Sequence, residues 1–237
     1  MSVNNQCCGE WIHHDDELNL DQIEDFWDDF DFDDWEMDDE YMDDNYDDDD
    51  VCEVDEMAPF FMWEAVMWNN QFANIMIDDY DWKWLVLFFY PADFTFVCPT
   101  ELEELADKYS ELQELWAEVI SVSTDTHFSH LAWKNSSPAI KKIKFPMLWD
   151  SSWEISKAYW VYQEHNGLDK RWTFIIDPEW ILRSIEISSE WMWRSADETI
   201  RKIKALKHMA ENPWTVCPNN WAKKWDLKPW EDLVWKI

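Results

Sequence analysis

Only two glycines, Gly9 and Gly167, occur in a chain of 237 residues, and 21 tryptophans stand beside them. Glycine is the residue that enters left-handed backbone without a steric penalty, and an ordinary globular chain holds about 7% of it. A chain this poor in glycine must route its connections through negative φ or carry side chains in left-handed turns, at roughly 1 kcal/mol or more for each. Whatever fold it adopts is therefore limited by its corners before its core is considered.

Charge divides the chain a second way. The 52 acidic and 19 basic residues leave a formal net charge of -33, yet residues 1–56 hold 25 of the acids and no Lys or Arg. Beyond them the balance is ordinary for a folded domain. The domain organisation read from this is an acidic, disordered segment over residues 1–56 and a folded domain over residues 57–237, its last part a tail from about residue 210. Long-range repulsion opposes binding to nucleic acid or anionic lipid. With no apolar run long enough for a bilayer and no signal-peptide pattern, a cytoplasmic location is expected. The carboxylates with His13 and His14 lack the spacing and the glycine of a calcium loop, so no metal or other cofactor is assigned. Five cysteines, an odd number, argue against a disulfide scaffold and leave redox chemistry open.

The folded part reads as alternating strands and helices. Residues 71–77 read as a short strand or a pair of strands, followed by a turn at 78–81. Trp84 to Tyr90 is a continuous apolar run ended by Pro91, the pattern of a central strand covered on both faces. A helix is predicted from Pro99 to about Trp116, where Leu102, Leu105, Tyr109, Leu112 and Leu115 recur on one face. Ala117 and Glu118 are read as the link to a strand over 119–123, which completes a strand–helix–strand unit of an α/β fold. A helix over 127–134, strands over 145–148, 172–176 and 181–187, and a capping box at Ser195 and Glu198 opening a helix to about Met209 follow. Residues 177–180 have turn chemistry except at the fourth, Trp180.

One cysteine stands out chemically. Cys98 directly precedes Pro99 at a helix start, where free N–H groups and the helix dipole favour a thiolate. By residue type alone a reactive thiol and an ordinary buried cysteine remain equally open here.

The string of thirteen residues from Phe89 to Glu101, Phe-Tyr-Pro-Ala-Asp-Phe-Thr-Phe-Val-Cys-Pro-Thr-Glu, resembles the active-site motif of typical two-cysteine peroxiredoxins of the bacterial alkyl hydroperoxide reductase type. Ser121 to His127, Trp133, Gly167 to Arg171 and Val216-Cys-Pro218 follow in the family's order. The resemblance spans residues 58–237 and implies a thioredoxin-like α/β fold, a central mixed sheet flanked by helices. It implies a thiol-dependent, antioxidant peroxidase with no cofactor, in which Cys98 attacks the peroxide and Cys217 of a partner subunit resolves the sulfenic acid. Thr95 would hold the peroxide, Pro91 would shield the thiolate, and Arg171 would stabilise thiolate and leaving oxygen. A homodimer, further assembled as a ring of five dimers, and a thioredoxin-like or flavoprotein reductant are likewise implied. Cys98 would leave its pocket by unwinding the first helical turn. The C-terminus lacks the Tyr-Phe helix of easily over-oxidised members. Cys7, Cys8 and Cys52 match no family position and are read as tail cysteines.

The chain departs from the family where glycine is expected: Trp82, Trp116, Trp149, Trp153, Trp160, Trp172, Trp180, Trp191, Trp193, Trp214, Trp225, Trp230 and Trp235 replace it. Trp84, Trp133 and Trp221 sit where the family accepts tryptophan. The uniformity points to a systematic exchange of tryptophan for glycine, which an intact mass would test. Overpacking at so many sites predicts a poorly folded or inactive chain, and Trp172 is expected to misplace Arg171. Two other readings compete. One is a catalytically impaired scaffold or chaperone-like protein on this fold. The other is a thioredoxin-like reductase, which needs a second cysteine three residues from Cys98, where Thr95 and Glu101 stand instead.

Overall fold

The structure, a computed structural model, describes residues 52–214, 216 and 217. The readings made for the acidic segment through residue 51, for Cys7 and Cys8, and for the chain after Cys217 lie outside these residues. Among the described residues no helix is long and apolar enough to cross a membrane.

The apolar run forms strand β3, Trp84–Phe89, with all six residues buried. Around it lie β1 (Met62–Val66), β2 (Phe72–Met76), β4 (Ala117–Ser123), β5 (Met147–Trp149), β8 (Trp172–Ile176) and β9 (Leu182–Ile187). They make one seven-stranded sheet in the order β2-β1-β5-β4-β3-β8-β9. The β3, β4 and β5 pairings are parallel and the others antiparallel, so the sheet is mixed. A two-stranded hairpin, β6 (Tyr162–Gln163) and β7 (Leu168–Asp169), stands apart from it.

Pleating sends alternate residues of β3 to opposite faces, and each face has its own core. Trp84, Val86 and Phe88 join Leu102, Leu105 and Leu112 of helix α1 (Cys98–Glu114) and Ile200 and Ile203 of helix α4 (Ala196–Glu211). Leu85, Leu87 and Phe89 meet Ile120, Tyr159 and Phe174 on the other side. Each fully buried side chain of this size contributes about 1.5–3 kcal/mol, so β3 anchors both layers. Helix α2 (His127–Ser136) and the short α3 (Glu154–Ala158) complete the set. This is a thioredoxin-like α/β arrangement, the fold the family resemblance implies.

Several boundaries differ from the sequence reading. Helix α1 stops at Glu114, and Leu115 with Trp116 makes the link, so β4 already starts at Ala117. The Trp116 carbonyl accepts the N–H of Trp84 at 2.9 Å, which pulls Ala117 into register beside Trp84 at once. Residues 78–80 lie in a 3-10 turn, and β5 begins two residues later than expected. Strand β1 and the β6–β7 hairpin have no counterpart in that reading. The capping box does not form. Ser195 is the N-cap of α4, but its hydroxyl donates to Glu104 Oε1 at 3.4 Å. Glu198 instead takes two hydrogen bonds from Arg201, each 2.8 Å. A salt-bridged neighbour one turn away outcompetes the capping role for that carboxylate. Cys52 is not a tail cysteine: it packs against the second core, and burial pushes its thiol up to about 12.

Tryptophan takes the left-handed corners. Trp82, Trp116, Trp153, Trp160 and Trp180 have φ of 65°, 60°, 66°, 58° and 64°. Trp116 and Trp160 follow the ends of α1 and α3, where their N–H groups bond to Gln113 and Lys157 carbonyls. Trp180 closes the β8–β9 hairpin, and Asp177 Oδ1 takes the N–H groups of Glu179 and Ile181 at 2.9 Å each. The overpacking predicted for tryptophan at these corners is absent for a simple reason: most of these indoles point outward. Trp82 is 80% exposed and Trp116 68%. The cost falls on backbone conformation and exposed apolar area, not on the core.

Candidate active site

Cys98 is the first residue of α1, its thiol 1% exposed. Pro99 suits this position because the first turn has no acceptor for its missing N–H. The preceding residue, Val97, offers no side-chain cap, and its carbonyl takes the N–H of Thr100 at 3.0 Å and of Glu101 at 3.3 Å. The Thr100 hydroxyl donates to the same carbonyl at 2.7 Å, so the first turn closes on Val97 without an N-cap side chain.

Two arginines and a glutamate surround the sulfur. Arg171 arrives from the residue just before β8, and its Nη1 and Nη2 each lie 3.6 Å from Cys98 Sγ. Glu101, three residues after Cys98 and so on the same side of α1, accepts from Arg171 Nη1. Its Oε1 also takes the backbone N–H and Nε of Arg194 at 2.7 and 3.1 Å, and its Oε2 takes Arg194 Nη2 at 3.2 Å. The Glu190 carbonyl accepts from Arg171 Nε and Nη2 at 3.1 and 3.0 Å. Arg194 further donates to the Trp172 carbonyl at 2.6 Å and Thr173 Oγ1 at 3.1 Å, and stacks 3.4 Å above the Phe88 ring. Burial lowers the pKa of Arg194, and the Glu101 carboxylate opposes that pull.

Glu101, Arg171 and Arg194 are each 3% exposed or less. Two guanidinium charges against one carboxylate leave one positive charge inside the protein. A thiolate at Cys98 would cancel it, and two N–H groups already aim at the sulfur. The same N–H groups are placed to meet negative charge building on an atom bonded to that sulfur. The two aimed N–H groups and the net positive charge suit a nucleophilic thiol.

The loop between β3 and α1 carries the remaining motif residues. Pro91 is buried, and Thr95 donates its hydroxyl to the Ala92 carbonyl at 2.9 Å. Trp172 does not displace Arg171. Its indole lies over Phe174 with centroids 6.0 Å apart and under the Lys170 ammonium at 5.0 Å, turned away from the guanidinium. Cys217 is a half-buried free thiol, not joined to Cys98 within the chain. Glu101 is part of the motif string but was assigned no role from sequence, and Arg194 was missed. Glu101 carried a signal in its spacing from Cys98, whereas Arg194 reaches the site from the loop after β9 with no local mark. Among the described residues no cluster of three or more His, Cys, Asp or Glu suited to a metal is present.

Comparison with known proteins gives the same picture. The sequence model of the AhpC/TSA family matches residues 54–185. Alkyl hydroperoxide reductase C of Salmonella typhimurium is 46% identical over 170 residues, 71% of this chain and 91% of that protein. Among solved structures, Enterococcus faecalis AhpC superposes with a TM-score of 0.67 at 39% identity, covering 70% of this chain and 98% of that one. The reduced 2-Cys peroxiredoxin of Plasmodium vivax gives a TM-score of 0.71 at 35% identity, covering 74% and 93%. With the peroxidatic motif, the fold and these relatives in agreement, the chain belongs to the AhpC/TSA family of peroxiredoxins.

Proposed function

We propose that this protein reduces hydrogen peroxide and alkyl hydroperoxides, with Cys98 as the attacking thiol. The observation that carries the proposal is the Arg171 guanidinium with two N–H groups 3.6 Å from Cys98 Sγ at the start of α1. The thiolate attacks one peroxide oxygen, the O–O bond breaks, and a new S–O bond forms. Sulfur gives up two electrons, and the leaving oxygen takes a proton to become water or an alcohol. Arg171 stabilises both thiolate and leaving oxygen, Thr95 orients the peroxide, and Pro91 excludes water from the sulfur.

The sulfenic acid then condenses with Cys217 of the partner subunit, releasing water and forming a disulfide. Cys217 is a half-buried free thiol available for this step. A thioredoxin-like protein or a flavoprotein disulfide reductase returns both cysteines to thiols. Strand β9 ends the sheet and offers an edge for a second copy; a homodimer, assembled as a ring of five dimers, follows from the family. A cytoplasmic setting suits the free thiols of Cys52, Cys98 and Cys217 among the described residues.

Peroxide consumption with a dithiol reductant tests the reading. Cys98→Ser is expected to abolish turnover. Cys217→Ser should still form one equivalent of sulfenic acid but no disulfide-linked dimer on a non-reducing gel. Equal turnover in the parent and both variants would defeat the assignment, and sedimentation of the reduced protein measures the assembly.

A further inference from the structure

Beneath the loop that carries Thr95 lies a buried polar group with no part in the chemistry described so far. Asp93 is 7% exposed and His130, on α2, is fully buried. The Tyr90 hydroxyl donates to Asp93 Oδ1 at 2.8 Å, and His130 Nδ1 lies 2.8 Å from Asp93 Oδ2. On its other side His130 Nε2 lies 3.2 Å from the Leu148 carbonyl oxygen of β5. The backbone N–H of Asp93 goes to Asp125 Oδ2 at 2.7 Å.

Counting protons settles how this group is joined. A carbonyl oxygen only accepts, so His130 Nε2 carries hydrogen. Nδ1 and a carboxylate oxygen do not approach to 2.8 Å as two lone pairs, so a second hydrogen lies between them. Tyr90 cannot supply it, since its single hydroxyl proton goes to Oδ1 and its oxygen is 3.4 Å from Nδ1. The His130–Asp93 pair thus shares a hydrogen between Nδ1 and Oδ2, and both residues are buried. Asp125 completes the surroundings; burial, with the Asp93 carboxylate beside it, raises its pKa. Lys134, one turn along α2, turns away to the Met67 carbonyl at 3.1 Å.

The placement of Asp93 gives the pair its consequence. Thr95 is two residues further on, its hydroxyl tied to Ala92, the residue before Asp93. Fixing both the backbone and the carboxylate of Asp93 fixes the turn that aims Thr95, and Cys98 follows three residues later. Through Leu148 the imidazole ties that turn to the middle of the sheet. We propose that His130 is a positioning residue for peroxide reduction, holding Asp93 through the shared proton and so holding Thr95 where the peroxide must lie. This rests on the peroxidase reading and adds to it a residue that does not touch the reacting atoms.

The test compares two reactions of the same thiol in the full chain. Peroxide needs both the thiolate and the Thr95 turn, whereas alkylation by iodoacetamide needs only the thiolate. His130→Leu is expected to slow single-turnover reaction with hydrogen peroxide about tenfold to a hundredfold. Alkylation of Cys98, followed by mass spectrometry of its peptide, should stay within about twofold. His130→Gln, whose amide still donates to Asp93, should recover part of the peroxide rate. An unchanged peroxide rate in His130→Leu, or an equal loss in both reactions, would overturn the proposal. If that variant does not fold, nitrogen-15 NMR of the parent decides: a protected hydrogen on His130 Nδ1 is required, and its absence overturns the proposal too. A parent that consumes no peroxide defeats the peroxidase reading instead, while the NMR measurement still decides the role of His130.

Discussion

Arg171 and Arg194 differ in what they touch. Arg171 faces the sulfur, while Arg194 makes four side-chain hydrogen bonds, to Glu101, the Trp172 carbonyl and Thr173, holding the glutamate that holds Arg171. A lysine has one charge but not that planar fork. Arg194→Lys is therefore expected to lower the Cys98 peroxide rate about tenfold, through loss of Arg171 placement; stopped-flow measurement of single-turnover oxidation checks it. A second residue-level expectation concerns stability. Asp169 is fully buried, and burial raises its pKa well above the usual carboxylate range, with the Ser156 hydroxyl opposing it. Above about pH 4 the unfolded chain has released this proton while the folded chain keeps it, so the folded state binds more protons and loses stability as pH rises. Asp169→Asn should flatten that decline, read as a shallower fall of the urea midpoint from acid toward neutral pH.

At the level of elements, the corners decide more than the strands. Replacing Trp116, Trp160 or Trp180 by glycine relieves a left-handed Cβ, and each is expected to stabilise by about 1 kcal/mol, measured by urea unfolding. Trp172→Gly has no such relief to give, because its φ is not positive. These corners were readable in the sequence wherever a turn needed a residue that was not there, as at 177–180. The central strand was readable from its unbroken apolar run, and α1 from its periodic leucines. Strand β1 was not, because its burial is graded along its length and does not alternate. The capping box misled because sequence spacing cannot weigh Ser195 bonding to Glu104 and Glu198 to Arg201 against the cap. In the site, the cysteine and Arg171 came through the motif, whereas Arg194 belongs to the site only because β9 and its loop return across the sheet.

The protein carries a strong net negative charge, most of it from the acids before residue 57, while two arginines stand at the site. With a formal net charge of -33, it repels substrates that carry negative charge and is indifferent to neutral ones. Reaction with hydrogen peroxide is expected to be nearly independent of ionic strength. A hydroperoxide bearing a carboxylate should react faster as salt rises and the repulsion is screened; second-order rate constants from low to high salt check the contrast. Inside, the sum around the sulfur runs the other way. On the proposed mechanism, two guanidinium groups, one carboxylate and a thiolate would add to zero, and a neutral sulfenic acid would take the thiolate's place once peroxide is consumed. The pocket then encloses an uncancelled positive charge, worth several kcal/mol in a site this dry. The first helical turn that carries this cysteine has no side-chain cap. On the proposed mechanism, oxidation itself would load the turn that must unwind, and a spent cysteine would need no separate signal to be told from a fresh one.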